Sequence, residues 1–231
     1  MEELKKVIVI PDVHGRTFWR KILEIKDPEN YKFVFLGDYL DPYPEEGVTK
    51  GDAFIQFMDI LDFKKKYPDN VILLIGNHCY HYINLASERC SRFDRKNMSM
   101  YHGIFNENKE LFQLTYTDNI YLYSHAGICD EWLNRAKIEL PEDIKEASDY
   151  LNKLFIEDEV FNIDLQEVSY YRGGYYNGSI IWRDAREPIS NKFKQIFGHT
   201  ALHKPCITAN WACLDCQKIF IVEKGEIKEY E

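Results

Sequence analysis

Short apolar runs alternate with longer, partly polar stretches along the first third of the chain. The runs KVIVI, KFVFL and NVILLI have the length and the β-branched or aromatic content of buried strands. The stretches between them, TFWRKILEI and DAFIQFMDILDFKKKY, are typical of helices. This repeated strand–helix–strand order predicts an α/β fold with a largely parallel sheet.

The remaining two thirds predict a second group of elements. Residues 80 to 113 are expected to be mostly helical, NIYLYS to be a strand, and LPEDIKEASDYLNKLF to be a helix. FKQIFG, CITANWACLD and KIFIVEKGEIKEYE are typical of strands joined by short turns, with a hairpin turn at Lys224 and Gly225. We therefore expect a single domain over residues 1–231, built from two packed sheets with helices outside.

Composition and charge narrow the class of protein. Hydrophobic residues make up 45% of the 231 residues and charged residues 29%, as in ordinary globular proteins. No apolar run is long enough to span a membrane or to act as a signal peptide, so we expect a cytoplasmic protein with reduced cysteines. The net charge of −9 argues against non-specific binding to nucleic acids or anionic membranes.

The negative charge is concentrated in residues 139–167, which we interpret as a helical, acidic insertion. Ten acids lie there against Lys145 and Lys153. A solvated helical face explains such a run most simply, and a docking surface for a basic partner is the alternative.

Five strand-like runs end in Asp, Asn or His. Asp12 and His14 follow IVIP, and they would point the same way if the backbone stayed extended. The other four runs lead into GDYLD, GNH, SHAG and GHT. Because α/β sheets place their chemistry at the carboxyl ends of strands, the five endings together indicate one site. All the donors are oxygen or nitrogen, which suits two divalent ions and a hydrolytic phosphoryl displacement.

These motifs, DVH, GDYLD, GNH, SHAG and GHT in this order, resemble those of the calcineurin-like metallophosphoesterase superfamily. They are most similar to its phosphoprotein-phosphatase branch, which also contains bacterial diadenosine tetraphosphatases. The resemblance implies a four-layer α/β sandwich of two mixed sheets flanked by helices, and a site with two divalent ions. We expect Mn²⁺, with Fe, Zn²⁺, Co²⁺ or Ni²⁺ as alternatives. The resemblance implies that the metal ligands are Asp12, His14, the bridging Asp38, Asn77, His125 and His199.

The same resemblance implies a catalytic pair. His78 would be the general acid that protonates the leaving alkoxide, and Asp41 would hold its imidazole in the required tautomer.

Two positions depart from the pattern of the branch. Pro42 occupies the place of an arginine that grips the substrate phosphate, and Cys79 occupies the place of a glutamate. Another arginine is therefore expected to bind the phosphate. Arg183, in GSIIWRDAR, is the leading candidate, ahead of Arg186 and Arg16.

Two further features leave alternatives open. His81 could support the site, although a surface position is favoured. The segment YYRGGYYNG, residues 170 to 178, could stack on a nucleobase or form a glycine turn between aromatic strands.

The leading hypothesis for function is a metal-dependent phosphoesterase acting on phosphomonoesters, plausibly phosphoserine or phosphothreonine in proteins. The acidic segment mildly favours a polypeptide substrate of basic character. The alternative is hydrolysis of dinucleoside polyphosphates such as diadenosine tetraphosphate. A catalytically silent binding module is the least favoured, since every expected ligand is present.

Overall fold

The computed structural model describes residues 6–87, 90–157 and 159–230, so Asp158 of the acidic segment lies outside it. The chain forms two compact units. The first runs through Phe112 and resumes at Gln217, and the second is Gln113–Cys216. The expectation of a single domain over the whole chain stays a prediction.

The described elements alternate along the chain as the hydrophobic pattern indicates. The strands are β1 (Lys6–Ile10), β2 (Tyr31–Phe35), β3 (Val71–Leu74), β4 (Phe112–Gln113), β5 (Thr115–Thr117), β6 (Tyr121–Ser124), β7 (Lys194–Phe197), β8 (Cys206–Ile207), β9 (Trp211–Cys213), β10 (Phe220–Glu223) and β11 (Glu226–Glu229). The α-helices are α1 (Lys50–Lys66), α2 (Asn77–Ile83), α3 (Met98–Glu107), α4 (Asp130–Arg135), α5 (Ile144–Glu157) and α6 (Glu159–Asp164).

Each sheet contains both parallel and antiparallel strand pairs. The first has the order β11-β10-β1-β2-β3-β4, with β1, β2 and β3 parallel and β10 and β11 antiparallel. The second has the order β5-β6-β7-β9-β8, with β6, β7 and β9 parallel. The predicted α/β fold with two mixed sheets flanked by helices is confirmed. The hairpin turn at Lys224 and Gly225 is confirmed as well, with φ of 52° and 82°.

Two predicted elements differ from expectation. The stretch TFWRKILEI forms a 3₁₀ helix over Phe18–Glu24 instead of an α-helix. Within residues 80 to 113, α2 and α3 are separated by irregular chain that includes Arg92, whose φ is +65°.

Helix α1 packs against β3, and its buried side chains form part of the core of the first unit. It begins with a capping box, in which Asp52 N–H donates to Thr49 Oγ1 (3.0 Å) and Thr49 N–H donates to Asp52 Oδ2 (3.0 Å). Its buried face includes Phe57, whose ring centroid is 5.5 Å from that of Tyr39.

The turn after β1 requires a glycine. Gly15 has a φ of +76°, and a Cβ there would lie 2.5 Å from the Cβ of Ala53.

Helix α5 is amphipathic and packs against β5 in the second unit. Its Asn152 Oδ1 accepts from the N–H groups of Leu114 and Thr115, each at 2.9 Å. The opposite face carries exposed i,i+4 ion pairs, such as Lys145 with Asp149 (2.6 Å). These contacts support the solvated-face interpretation of the acidic segment. Among the described residues, no helix is both long and apolar enough to cross a bilayer.

Candidate active site

The predicted site residues follow the carboxyl ends of five strands, and all of them are buried. In the first unit, Asp12 and His14 follow β1, Asp38 and Asp41 follow β2, and Asn77 and His78 open α2 after β3; none is more than 7% exposed. In the second unit, His125 follows β6 and His199 follows β7, with exposures of 0% and 7%. Removing polar groups from water is costly unless they are hydrogen-bonded, paired or bound to a metal, so the buried polar residues within each unit indicate a functional role.

Four of these residues adopt left-handed backbone conformations. The φ angles are 44° at His14, 52° at Asp38, 58° at Asp41 and 65° at His199. The expectation of extended backbone from Asp12 to His14 is therefore wrong, because the chain turns sharply at His14. The turn is held by the His14 N–H, which donates to the carbonyl of Asp38 (2.7 Å). Left-handed conformations cost about 1 kcal/mol or more per non-glycine residue, and they concentrate at functional sites.

His14 and Asp38 form an arrangement that fits a cation. His14 Nδ1 lies 2.8 Å from the carbonyl of Leu40 and must donate to it, so Nε2 carries a lone pair. That Nε2 lies 3.5 Å from Asp38 Oδ2. Burial lowers the pKa of His14 to about 3, so the imidazole is neutral and two electron-pair donors face each other. A metal ion would satisfy both, in keeping with the prediction that Asp38 and His14 are ligands.

Asn77 is oriented by a cysteine. Its Nδ2 donates to Cys90 Sγ (3.1 Å), while the Cys90 thiol donates to the Asn77 carbonyl (3.3 Å). These contacts identify the nitrogen end of the amide, and the oxygen is the end that suits a metal.

Asp41 is the centre of a buried hydrogen-bond network. His78 Nδ1 lies 2.8 Å from Asp41 Oδ2, and the Tyr82 hydroxyl donates to Oδ1 (2.6 Å). His81 Nε2 lies 2.9 Å from Asp41 Oδ2. Burial on its own would raise the pKa of Asp41, but the hydrogen bonds from His78 and His81 outweigh it and lower the pKa to about 2. Asp41 is thus an anion that holds the Nδ1 proton of His78 and leaves Nε2 for chemistry.

The favoured surface position of His81 is wrong. The side chain is 1% exposed, and its Nδ1 accepts the backbone N–H of Cys90 (3.2 Å). Since Nδ1 accepts, Nε2 carries the proton, and this nitrogen lies within ion-pair distance of Asp41 Oδ2, at 2.9 Å. His81 lies three residues after His78 on α2, so the two rings share a helix face.

Arg92 contacts Asp41 and His78, the predicted catalytic pair, although no sequence pattern singled it out. Its Nε donates to the carbonyl of Asp41 (2.9 Å), and its Nη2 lies 3.4 Å from His78 Nε2. The guanidinium lies over the ring of Tyr43, 3.7 Å from the centroid. Among the described residues it forms no ion pair with a carboxylate. Arg92 therefore presents a positive charge beside the nitrogen of His78 that faces away from Asp41.

The three arginines proposed from the sequence are all engaged elsewhere. Arg16 forms a two-pronged ion pair with Glu46 (2.6 and 2.8 Å), and Arg186 does so with Asp184 (2.7 and 3.0 Å). Arg183 is 1% exposed. Its Nε donates to the Ala126 carbonyl (3.0 Å), and its Nη1 donates to the carbonyls of Asp184 (3.1 Å) and Glu187 (2.8 Å). These contacts favour a structural role for Arg183, and its phosphate-binding role stays a prediction.

The second unit brings its two predicted ligands together. His125 Nε2 lies 3.0 Å from His199 Nδ1, a separation that suits two ligands at about 2.1 Å from one ion. The pair is positioned by the backbone, because the Gly198 N–H donates to the His125 carbonyl (2.7 Å). Arg172 Nη2 also donates to the carbonyl of His199 (3.1 Å).

The tyrosine-rich segment is a turn without flanking aromatic strands. Tyr170–Arg172 form a 3₁₀ helix that ends at Gly173, whose φ is +96°. Tyr175 is 92% exposed, while Tyr171 lies beneath Arg186, with the guanidinium 4.0 Å from the ring centroid. The expected glycine turn is present, and exposed aromatic surface is present on it.

Comparisons with known proteins agree with this geometry. The yeast (Saccharomyces cerevisiae) serine/threonine-protein phosphatase 2B catalytic subunit A2 is 26% identical over 178 residues, which cover 68% of this chain and 28% of that protein. The Caenorhabditis elegans serine/threonine-protein phosphatase PP1-delta is 35% identical over 94 residues, which cover 37% of this chain and 28% of that protein. The chain thus spans less than a third of the length of these relatives.

Solved structures share the fold. A cold-active protein tyrosine phosphatase superposes with a TM-score of 0.61 at 18% identity, covering 97% of this chain and 78% of its own. A serine/threonine phosphatase from Saccharomyces cerevisiae, described as similar to human phosphatase PP5, superposes with a TM-score of 0.53 at 14% identity, covering 100% of this chain and 81% of its own. At these identities the likeness concerns the fold alone.

A family model extends the similarity along most of the chain. The model for calcineurin-like phosphoesterases matches residues 5–203, a range that contains every residue of the predicted site. The resemblance carried by the five motifs is confirmed, and the chain belongs to the calcineurin-like phosphoesterases, which are phosphoric ester hydrolases.

Proposed function

We propose that the protein is a metal-dependent phosphomonoesterase that hydrolyses phosphoserine or phosphothreonine in proteins, with His78 as general acid. The observation that carries the proposal is that Asp41 contacts one ring nitrogen of His78 and Arg92 contacts the other. The Asp41 carboxylate holds one nitrogen of His78, and the other nitrogen lies 3.4 Å from a guanidinium. A proton donor and a phosphate-binding cation thus converge on one point.

In this proposal each residue of the first unit has a distinct task. Arg92 takes over the role of the arginine that Pro42 replaces and holds the phosphoryl oxygens. His78, oriented by Asp41, gives its Nε2 proton to the leaving alkoxide. His81 and Tyr82 keep Asp41 fixed and ionised, so that its carboxylate holds the Nδ1 side of the His78 ring in place. The negative charge developing on the phosphate and on the leaving oxygen therefore meets donors already in place.

The metal ligands in this proposal are those that the motifs identify. Two divalent ions would be held by the six predicted ligands, Asp12, His14, Asp38, Asn77, His125 and His199. The neutral imidazoles, carboxylates and amide suit Mn²⁺, and also Fe, Zn²⁺, Co²⁺ or Ni²⁺. When bound, such ions lower the pKa of water and neutralise phosphoryl charge.

The names of the related proteins support phosphorylated proteins as the substrate class. Both curated relatives are named serine/threonine phosphatases, and one structural neighbour is named a tyrosine phosphatase. We extend that substrate class to this chain.

Hydrolysis of dinucleoside polyphosphates is the second candidate, favoured by the tyrosine-rich turn. Tyr175 and Tyr176 are 92% and 56% exposed, and exposed aromatic rings can stack on a nucleobase.

A side-by-side assay separates the candidates. Protein stripped with a chelator and reloaded with Mn²⁺ is given a phosphothreonine peptide, a phosphotyrosine peptide and diadenosine tetraphosphate at equal concentrations. We expect the highest kcat/KM with the phosphothreonine peptide, and no turnover before metal is restored. Faster cleavage of the dinucleotide would reject the protein-phosphatase proposal in favour of the second candidate. Full activity in the stripped protein would reject metal dependence.

A further inference from the structure

A cavity of about 620 Å³ in the first unit is lined by the side chain of Arg92. This volume is within the range of small-ligand sites. Three of the described lining residues are cationic, namely Lys50, Arg92 and Arg95, and none of the described lining residues is acidic. Pro42, Val48 and Phe93 contribute apolar walls.

The charge around the cavity is incompletely neutralised. Lys50 Nζ lies 3.3 Å from Asp94 Oδ1, but Asp94 also accepts hydrogen bonds from Asn97 Nδ2 (2.8 Å) and the Lys96 N–H (3.2 Å). Glu46, whose pKa is lowered first by its hydrogen bond to Arg16 and further by the charge of Arg92, is held in the two-pronged pair with Arg16.

Arg95 is exposed and makes no ion pair with any described residue. The described lining carries Lys50, Arg92 and Arg95 without an acid, and the carboxylates of Glu46, Asp52 and Asp94 are engaged beside it by Arg16, Thr49 and Lys50. A site of this kind attracts an anion.

The cavity adjoins the proposed reaction centre. Arg92 lines the cavity with the same side chain whose Nη2 lies 3.4 Å from His78 Nε2. A group bound in this cavity against Lys50 and Arg95 would therefore also lie beside Arg92, the residue that contacts His78. One face of Phe93 is covered by Tyr82, whose ring lies 5.0 Å away and nearly parallel, which leaves little aromatic surface for a base.

We propose that this cavity is an accessory anion subsite, which binds a carboxylate or a second phosphate on a residue next to the phosphoresidue of a peptide. The inference rests on the proposed protein-phosphatase function and adds a preference to it. The enzyme selects phosphopeptides with an acidic neighbour, because Lys50 and Arg95 pair with the second anion while Arg92 holds the first.

The test compares three phosphothreonine peptides of equal length whose flanking residues are Glu, Ala or Lys. We expect kcat/KM to fall in that order, with about a tenfold preference for the Glu peptide over the Ala peptide, diminishing at high ionic strength. The double variant Lys50→Met, Arg95→Met is expected to reduce the Glu-to-Ala ratio to about two. Lys65→Met, an exposed lysine near the other end of α1, is the matched control and should keep the wild-type ratio.

A charge reversal makes the test independent of any loss of stability. Arg95→Glu, at an exposed position, should shift the preference toward the Lys peptide. Equal rates with all three peptides in the wild type would overturn the subsite, and so would an unchanged ratio in both variants. If no phosphopeptide is hydrolysed while p-nitrophenyl phosphate is, the protein-phosphatase proposal itself fails, and the subsite fails with it.

Discussion

Arg92 and Arg183 are the same residue type in two opposite environments. Arg183, in the second unit, is 1% exposed and donates three hydrogen bonds to backbone carbonyls. Arg92, in the first unit, is partly exposed and donates to one carbonyl and to Ser91 Oγ, and its Nη2 faces His78. The Arg183 guanidinium is buried and uses Nε and Nη1 to donate to backbone carbonyls, with Nη2 left without a hydrogen bond among the described residues, whereas the Arg92 guanidinium is partly exposed beside His78.

The comparison of Arg92 with Arg183 shows that the sequence motif around an arginine does not determine which groups its guanidinium contacts. Arg183 follows an apolar run and a tryptophan, as expected for a residue of the site, but its Nε and Nη1 donate to backbone carbonyls. Arg92 lies in irregular chain between α2 and α3, and its left-handed backbone accompanies a guanidinium directed toward Asp41 and His78.

The largest effect is expected at His78. His78→Asn should lower kcat by about 10² to 10⁴, since the general acid is lost while the protein remains folded. Metal content measured by atomic emission should be unchanged. Asp38→Asn is the contrasting variant, because it removes the proposed bridging ligand and should lose metal and activity together. Loss of metal in His78→Asn would mean that His78 is a ligand.

We expect substitution of Arg183 to lower mainly the stability of the protein, and substitution of Arg92 to lower mainly its turnover. Arg183→Met leaves three buried carbonyls without their donor and should lower the free energy of unfolding by about 3 kcal/mol, measured in urea. Arg92→Met should cost less than about 1 kcal/mol of stability but lower kcat by about tenfold or more. A normal stability with reduced turnover in Arg183→Met would restore Arg183 as the phosphate-binding residue.

Acid should weaken the first unit through Asp41. Its pKa in the folded chain is about 2, against 3.8 for the ordinary group, because the hydrogen bonds from His78 and His81 outweigh the effect of burial. As pH falls, the unfolded chain takes up this proton first. The stabilisation is therefore present above about pH 4 and disappears toward pH 2, by about 2 kcal/mol. The difference between wild type and Asp41→Asn, measured in urea on metal-free protein, should shrink over that interval. If the free energies of unfolding of the two proteins changed in parallel with pH, Asp41 would not be stabilised as an anion by its hydrogen bonds.

A smaller effect is expected at Tyr82. Tyr82→Phe removes one donor to Asp41 and should cost about 1 kcal/mol of stability, with only a few-fold loss of kcat. Tyr80→Phe on the same helix is the control, since its hydroxyl accepts a hydrogen bond from Asn84 Nδ2 (3.3 Å), outside the Asp41 network. Equal stability of both variants would show that the Tyr82 hydroxyl does not support Asp41.

The strands and the candidate ligands could be predicted because their signals are local. A strand is defined by consecutive apolar residues, and the polar residue that follows it lies at the edge of the sheet whatever the rest of the chain does. Asp12, Asp38, Asn77, His125 and His199 were therefore found from short motifs, and each follows the strand expected for it.

The sequence by itself determined which strand each polar site residue follows, and which types of donor atom those residues offer. Tertiary structure alone decided that the chain turns at His14, that His81 is buried against Asp41, and that Arg92 faces His78. The physical reason is range. Periodicity and motifs report on neighbours a few residues apart, whereas Arg92 and Asp41 are 51 positions apart. Their contact depends on how irregular chain packs, which no local pattern encodes.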